Sequence, residues 1–256
     1  MSKQNKWMIA GAAVVFVACA VAICCILARQ HRNQLNMEAL QDSAHLLPSV
    51  DTTTVATEEP AVIPINFEEI RKENEDIVAW VEVPGTDVDY PILQSKPEME
   101  EDFYLEHNLD GSGGYPGCIY IQKSNSADFC DAVTVVYGHN MKNGSMFSSL
   151  HRYEDRDFFD EHPNFSIYTP TEAKTYRVIA ALNYDDRLIP AYFHFFLSGN
   201  DVGEFLKDIY GIGEGERSHF VEDAGIEPSD HYVVLSTCSS NSADRWLVVG
   251  IWDKDL

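Results

Sequence analysis

The stretch that decides the fold reads YVVLSTC at positions 232–238 and RWLVVGIW at positions 245–252. Both runs are rich in β-branched and aromatic residues, which is typical of strands. The residues between them are mostly small and polar, which favours a loop. We therefore predict two strands, with Cys238 at the end of the first and Arg245 at the start of the second. If the strands pair, a thiol and a guanidinium face each other at the mouth of a sheet.

This arrangement suggests nucleophilic chemistry. A thiol beside a fixed positive charge loses its proton more easily, and the thiolate is the nucleophilic form. A nucleophile also needs a group that carries protons, and the best candidate is His139, in the run VVYGHN at positions 135–140. That run is again a strand leading into a turn. We therefore predict that Cys238, His139 and Arg245 are the catalytic residues.

The N-terminus carries an apolar run over residues 7–28, flanked by basic residues and free of acidic ones. At ~1.5 Å per residue this run is roughly 33 Å long, enough to cross a hydrocarbon core of about 30 Å. Cleavable signal peptides have apolar regions of about 7–15 residues, so we predict a retained transmembrane anchor. Residues 16–19 are similar to a lipoprotein cleavage box, but the apolar run continues past them. Residues 1–6 would then be cytoplasmic, and residues 29–64 an extracellular stalk.

Charge excludes one large class of partners. The chain has 18 Lys and Arg against 41 Asp and Glu, and four of the basic residues lie within positions 1–32. The part beyond the anchor is therefore strongly acidic and repels nucleic acid and anionic surfaces. Carboxylates are numerous but do not cluster with histidines, so we predict no metal site and no cofactor.

The cysteines outside the anchor are Cys118, Cys130 and Cys238, an odd number without metal-type spacing. Cys118 and Cys130 could form a disulfide or remain two buried free thiols. Cys238 is left over in either case.

Short predicted strands recur at regular intervals over residues 65–256, with short helices between them. One of these helices is predicted over 201–210, with Asp201 and Glu204 at capping-box spacing. A separate short helix is predicted over 37–47 in the stalk. About 190 residues suffice for one core. We predict a mostly β fold, a closed barrel of seven to eight strands with peripheral helices, preceded by the transmembrane helix.

With these residues in hand, the sequence resembles the sortases, the membrane-anchored cysteine transpeptidases of Gram-positive bacteria. The family's signature around the nucleophile reads VLSTC at positions 234–238, with Val at its first position in place of Thr. The stretches WVEVPGT (80–86), DYPILQ (89–94), YGHN (137–140) and GSMF (144–147) are most similar to class B members. So is the long segment 185–220, where class B enzymes carry an extra helix.

The resemblance implies a reaction. Cys238 attacks the carbonyl of a Thr in the C-terminal sorting signal of a secreted protein, and an amine of peptidoglycan or of a pilin resolves the thioacyl-enzyme. His139 would carry protons, and Arg245 would donate hydrogen bonds to the substrate backbone or to the oxyanion. The sequence offers no evident carboxylate to orient His139.

Other residues are candidates for substrate contacts, and each has a structural alternative. They are Tyr104, Leu105, Tyr192, Phe193, Ser236 and Thr237. Two alternative functions also fit the sequence. One is a secreted cysteine peptidase with water as acceptor, and the other is an inactive surface-binding domain.

Overall fold

The structure is a computed structural model and describes residues 3–46, 63–239 and 244–254. Met1–Ala39 and Leu40–Leu256 form two compact units. The helices are α1 (Lys3–Ala44), α2 (Phe67–Ile70), α3 (Arg156–Glu161), α4 (Ile189–Tyr192) and α5 (Gly199–Ile212), with 3₁₀ helices at Phe103–Leu105, Ser148–Glu154 and His194–Phe196. The strands are β1 (Ile77–Glu82), β2 (Asp89–Gln94), β3 (Ile119–Ile121), β4 (Val133–Tyr137), β5 (Asn164–Tyr168), β6 (Ala173–Asp185), β7 (His219–Phe220), β8 (Tyr232–Cys238) and β9 (Asp244–Asp253).

Eight strands close into a barrel. The hydrogen-bonded order is β5-β1-β2-β3-β4-β8-β9-β6, and β5 also pairs with β6, which joins the two ends. The short strand β7 adds to β6. Closure leaves none of these eight strands as an unpaired edge. The predicted closed barrel of seven to eight strands with short helices is confirmed.

The strand β8 is buried on both faces, which explains its nearly continuous apolar sequence. One face of β8 and β9 packs against the segment that connects β6 to β8. The cluster that they share includes Phe193, Val202, Phe205, Leu206, Ile209, Val234, Leu247 and Val249. Since the interior of an eight-stranded barrel holds only side chains, α5 covers the outside of the barrel.

The helix α5 begins two residues earlier than its predicted start. Ser198 is the N-cap residue, and its hydroxyl accepts from the main-chain N–H of Asp201 while the Asp201 carboxylate accepts from the main-chain N–H of Ser198. The capping box therefore joins Ser198 and Asp201, and the predicted pairing of Asp201 with Glu204 is wrong. Ser198 is the better cap because its backbone is extended, as a residue before the first turn must be.

The helix α1 is continuous over Lys3–Ala44, so the helix predicted at 37–47 is the end of a longer one. It is long and apolar enough to cross a membrane. In the second unit, Gln41 Nε2 donates to the carbonyl oxygen of Asp89, 2.6 Å away. The Thr-, Glu- and Pro-rich part of the predicted stalk, 51–60, lies outside the described residues.

All six cysteines are free thiols. Cys118 is buried, whereas Cys130 is exposed. Neither of the two predicted alternatives is therefore found. Cys118 and Cys130 form no disulfide, and only Cys118 is a buried thiol.

Candidate active site

The ends of three neighbouring strands bring the predicted catalytic residues to one edge of the barrel. β4 and β8 are parallel, with Tyr137 opposite Ser236, so His139 follows β4 at the edge where β8 ends. β8 and β9 are antiparallel, and Cys238 lies directly opposite Arg245. The pairing predicted from the sequence is therefore present.

The thiol and the guanidinium leave the sheet on the same face. Directly opposite residues of antiparallel strands point to the same side, with Cβ atoms about 4.5–5.5 Å apart. Because side chains alternate along a strand, this is also the side of Val234 and Leu247, which pack against the β6–β8 connection. Cys238 is half-buried. The site therefore lies on the outer face of the barrel, with the β6–β8 connection beside it.

The imidazole of His139 is held by a main-chain carbonyl rather than by a carboxylate. Its Nε2 lies 2.7 Å from the carbonyl oxygen of Leu105, and the ring of Tyr115 meets the imidazole edge-on at 5.1 Å. A carbonyl oxygen can only accept, so we assign the proton to Nε2. The Nδ1 atom is then the nitrogen available for proton transfer.

The guanidinium of Arg245 lies near two stacked tyrosine rings, those of Tyr120 and Tyr137, with centroids 5.3 Å apart. Burial raises the pKa of both phenols, and the positive charge of Arg245 acts in the opposite direction on each. Both phenols are therefore neutral at pH 7, and the ring pair adds no charge beside the guanidinium.

The two residues predicted from the 3₁₀ helix at 103–105 have different environments. Tyr104 is buried, and its hydroxyl donates to the carboxylate of Asp76. Burial, followed by that hydrogen bond, raises the pKa of Tyr104. Leu105 is half-buried and contributes the carbonyl that holds His139. Tyr104 is therefore a core residue, and Leu105 reaches the site through its backbone.

The neighbours of Cys238 in β8 point in opposite directions. Ser236 is on the same face as Cys238, whereas Thr237 points to the other face, and both are buried. Tyr192 and Phe193 also differ. Tyr192 is 57% exposed, with the guanidinium of Arg187 4.2 Å from its ring centroid, whereas Phe193 is buried against Phe205. Of these four, Tyr192 alone presents a largely exposed side chain.

Two further side chains at the site were not predicted. Asn140 and His151 both lie 3.0 Å from the carbonyl oxygen of Cys238, through Nδ2 and Nε2 respectively. Asn140 could have been suggested by its place beside His139. No sequence signal points to His151, because a histidine in a short 3₁₀ helix has no periodicity to identify it. Among the described residues, no three His, Cys, Asp or Glu side chains converge as a metal site would require.

Comparisons with known proteins extend this description. No family model matches the chain. Sortase B of Listeria monocytogenes serovar 1/2a is 29% identical over 222 residues, covering 81% of this chain and 83% of the relative. The solved structure of sortase B from Listeria monocytogenes is 30% identical, with a TM-score of 0.59, and the match covers 73% of this chain and 99% of that one.

A third match is a Streptococcus pyogenes class B sortase involved in pilus biogenesis. It is 26% identical with a TM-score of 0.61, and the match covers 73% of this chain and 97% of that one. The chain covers nearly the whole of both solved structures. The chain therefore belongs to the class B sortases, a family of cysteine transpeptidases.

Proposed function

We propose that Cys238 is the nucleophile of this sortase, that His139 is its general acid and base, and that Arg245 stabilises the oxyanion. What supports the proposal most is the direct pairing of Cys238 with Arg245 at the barrel edge where His139 follows β4. A thiolate is favoured beside a fixed cation. The planar fork of Arg245 can give two hydrogen bonds to one substrate group, which a lysine cannot.

The steps follow from these roles. The Cys238 thiol gives its proton to Nδ1 of His139, and the sulfur attacks the carbonyl carbon of a Thr residue in the substrate. The resulting oxyanion accepts hydrogen bonds from Arg245. When the C–N bond breaks, the imidazolium returns the proton to the leaving amine, and a thioester remains. An incoming amine then attacks the thioester, loses a proton to His139, and forms a new amide as the thiol is regenerated.

We infer that the substrates are secreted proteins with a C-terminal sorting signal and that the acceptor is an amine of cell-wall peptidoglycan. The helix α1 would anchor the chain in the membrane. The six residues before the apolar run would be cytoplasmic, and the barrel would lie outside the cell. The acidic composition of the remaining chain agrees with a solvated extracellular domain.

A pilin lysine is the second candidate acceptor. The specific observation that favours it is the similarity to the Streptococcus pyogenes class B sortase involved in pilus biogenesis. Both acceptors are primary amines, so the chemistry at Cys238 is the same. The two acceptors differ in the molecule that carries the amine, which is peptidoglycan in one case and a pilin in the other.

The test uses the full chain in detergent with a series of quenched peptides that carry different sorting motifs, with and without an amine. We expect cleavage, and a ligated product when a diglycine or a lysine peptide is added. Cys238→Ala should abolish both products. Cys130→Ala is the matched control, because Cys130 is also a free thiol.

Cleavage that persists in Cys238→Ala would contradict the assignment of the nucleophile. Hydrolysis without any ligation, at all amine concentrations, would instead support a peptidase with water as acceptor. Absence of cleavage with every motif would favour an inactive surface-binding domain.

A further inference from the structure

The carbonyl oxygen of Cys238 is held by side chains from two other segments. Asn140 Nδ2 donates to it from the turn after β4, at 3.0 Å, and His151 Nε2 lies 3.0 Å from it, from the 3₁₀ helix Ser148–Glu154. Asn140 Nδ2 is also 3.0 Å from His151 Nε2. The three groups thus form a closed polar cluster at the end of β8.

The other nitrogen of His151 is fixed by a carboxylate. Nδ1 lies 2.6 Å from Glu154 Oε1, and the second oxygen of Glu154 accepts from Arg217 Nε at 2.8 Å. A carboxylate and a carbonyl only accept, so Nδ1, which faces Glu154, and Nε2, which faces the Cys238 carbonyl, both carry protons, and His151 is an imidazolium paired with Glu154. Burial alone would raise the pKa of Glu154, but its hydrogen bonds to Arg217 and His151 together bring it below the usual value. Glu154 is therefore charged at neutral pH and fixes the orientation of the imidazole.

The surroundings of His151 keep the ring in place. The indole of Trp246 in β9 stacks on it, with centroids 5.7 Å apart, and Trp246 Nε1 donates to the carbonyl of Leu150. From β7, His219 Nε2 donates to the carbonyl of Glu154 at 2.9 Å. The titratable and charged groups around His151 are therefore Glu154, Arg217, His219, Glu214, which lies 3.5 Å from His219, and Cys238 itself.

We propose that Asn140, His151 and Glu154 form a positioning network that fixes the direction in which the Cys238 thiol leaves the end of β8. The proposal rests on the proposed role of Cys238 as nucleophile. None of the three residues needs to touch the substrate.

The physical argument concerns one torsion. Cys238 faces Arg245 at the last paired position of β8, and the N–H of the following peptide group, that of Ser239, donates to the carbonyl of Asp244 at 3.1 Å, so the strand β9 restrains this peptide group from one side. Rotation about its Cα–C bond moves the carbonyl oxygen relative to the side chain, because the peptide group is planar. Two donors on that oxygen limit this rotation. The direction of the Cα–Cβ bond is thereby fixed, so that the side chain leaves the strand on the same face as Arg245.

Substitutions at His151 distinguish the loss of the hydrogen bond to the Cys238 carbonyl from the loss of the imidazole ring. Gln places its amide nitrogen as many bonds from Cβ as Nε2 of histidine, so His151→Gln keeps a donor for the Cys238 carbonyl. Asn places its nitrogen at the level of Nδ1, so His151→Asn loses that donor. Asn140→Asp removes the other donor with almost no change of shape. Ser148→Ala is the matched control, because Ser148 lies on the same 3₁₀ helix and bonds to Met141 instead.

The first measurement needs no substrate. The alkylation rate of Cys238 by iodoacetamide is followed from pH 5 to pH 10, with mass spectrometry of the peptide that contains it. We expect the alkylation rate at neutral pH to fall several-fold in His151→Asn and Asn140→Asp, because the thiol is no longer held in one direction. The profiles of His151→Gln and Ser148→Ala should match the wild type. Thermal melting of each variant checks that it is folded.

The second measurement uses the quenched peptide that the wild type cleaves fastest. We expect kcat to fall about tenfold in His151→Asn and Asn140→Asp, the size of one lost hydrogen bond, with KM within about twofold. Wild-type profiles and rates in both variants would overturn the proposal. An equal defect in His151→Gln would also overturn it, because the effect would then come from the imidazole and not from the donor.

The outcomes keep the two proposals apart. If Cys238→Ala is inactive and His151→Asn behaves as the wild type, the nucleophile stands and the positioning network fails. If Cys238→Ala retains full activity, the proposed role of Cys238 is wrong, and the proposed role of the positioning network is then wrong as well.

Discussion

The Nε2 atom of His139 donates to the carbonyl oxygen of Leu105, 2.7 Å away, and the backbone of Gly117 lies against the same carbonyl. A Cβ atom on Gly117 would come within 2.4 Å of that oxygen. The group that orients the imidazole thus occupies space that only a glycine leaves open. The Gly117 φ of +68° adds a second reason for glycine.

Gly117→Ala should therefore reduce activity by more than its cost in stability would suggest. The displaced Leu105 carbonyl would leave the imidazole in a different orientation, and we expect kcat to fall at least tenfold. Gly111→Ala is the matched control, since Gly111 has a φ of +75° but nothing within 4 Å of the added Cβ. The left-handed backbone costs both variants about 1 kcal/mol of unfolding free energy. Equal kcat values in the two variants, measured with peptide cleavage, would show that the Leu105 contact does not matter.

Arg245→Lys should be a severe change although it keeps the charge. Lysine lacks the fork that can give two parallel hydrogen bonds to one group. Loss of one oxyanion donor typically costs 10²–10³ in kcat, and we expect an effect of about that size. Arg156→Lys, on an exposed residue paired with Asp160, is the control for the substitution itself. A kcat for Arg245→Lys within threefold of the wild type would remove Arg245 from the oxyanion site.

Glu154 should make stability depend on pH in one direction. Its pKa is below the usual value in the folded chain, so its contribution is fully present above the unfolded carboxyl value of about 4.3 and is lost as the pH falls through the folded value. The difference in unfolding free energy between the wild type and Glu154→Gln should therefore be largest near pH 7 and shrink below pH 4. Glu161→Gln, on an exposed carboxylate of α3, should show a smaller pH-dependent difference. Denaturant titrations across the pH range measure both, and a constant difference for Glu154→Gln would contradict the expectation.

Tyr192 and Phe193 should behave differently despite being neighbours. Phe193 is buried against Phe205 and Phe196, so Phe193→Ala should cost about 3 kcal/mol of unfolding free energy. Tyr192 is exposed on the connection beside the site, so Tyr192→Ala should leave the melting temperature almost unchanged and raise KM. Equal KM values for the wild type and Tyr192→Ala would remove Tyr192 from the substrate surface.

Much of the fold could be predicted because the signals were local. The runs over 232–238 and 245–252 are continuous and apolar, and the structure pairs them with Cys238 opposite Arg245. The start of α5 was missed by two residues, since Ser198 and Asp201 each offer a cap at the right spacing and only the backbone decides between them.

The contacts that hold Cys238 and His139 in place were harder to predict from the sequence. His151 lies 87 positions from Cys238, and Leu105 lies 34 positions from His139. Their contacts depend on how the 3₁₀ helices pack at the barrel edge. Leu105 acts through its backbone, which no side-chain pattern records. Thr237 points to the face opposite Cys238, and alternation in a strand buried on both sides does not reveal which face carries the site.

The excursion between β6 and β8 leaves the barrel beside the nucleophile and returns to it without contributing any of the three proposed catalytic groups. The three proposed catalytic groups and this excursion thus belong to separate stretches of one polypeptide. Exchanging residues 186–231 among related enzymes, with Arg217 and His219 kept as partners of Glu154, would test whether the preference for a peptide tail travels with that segment.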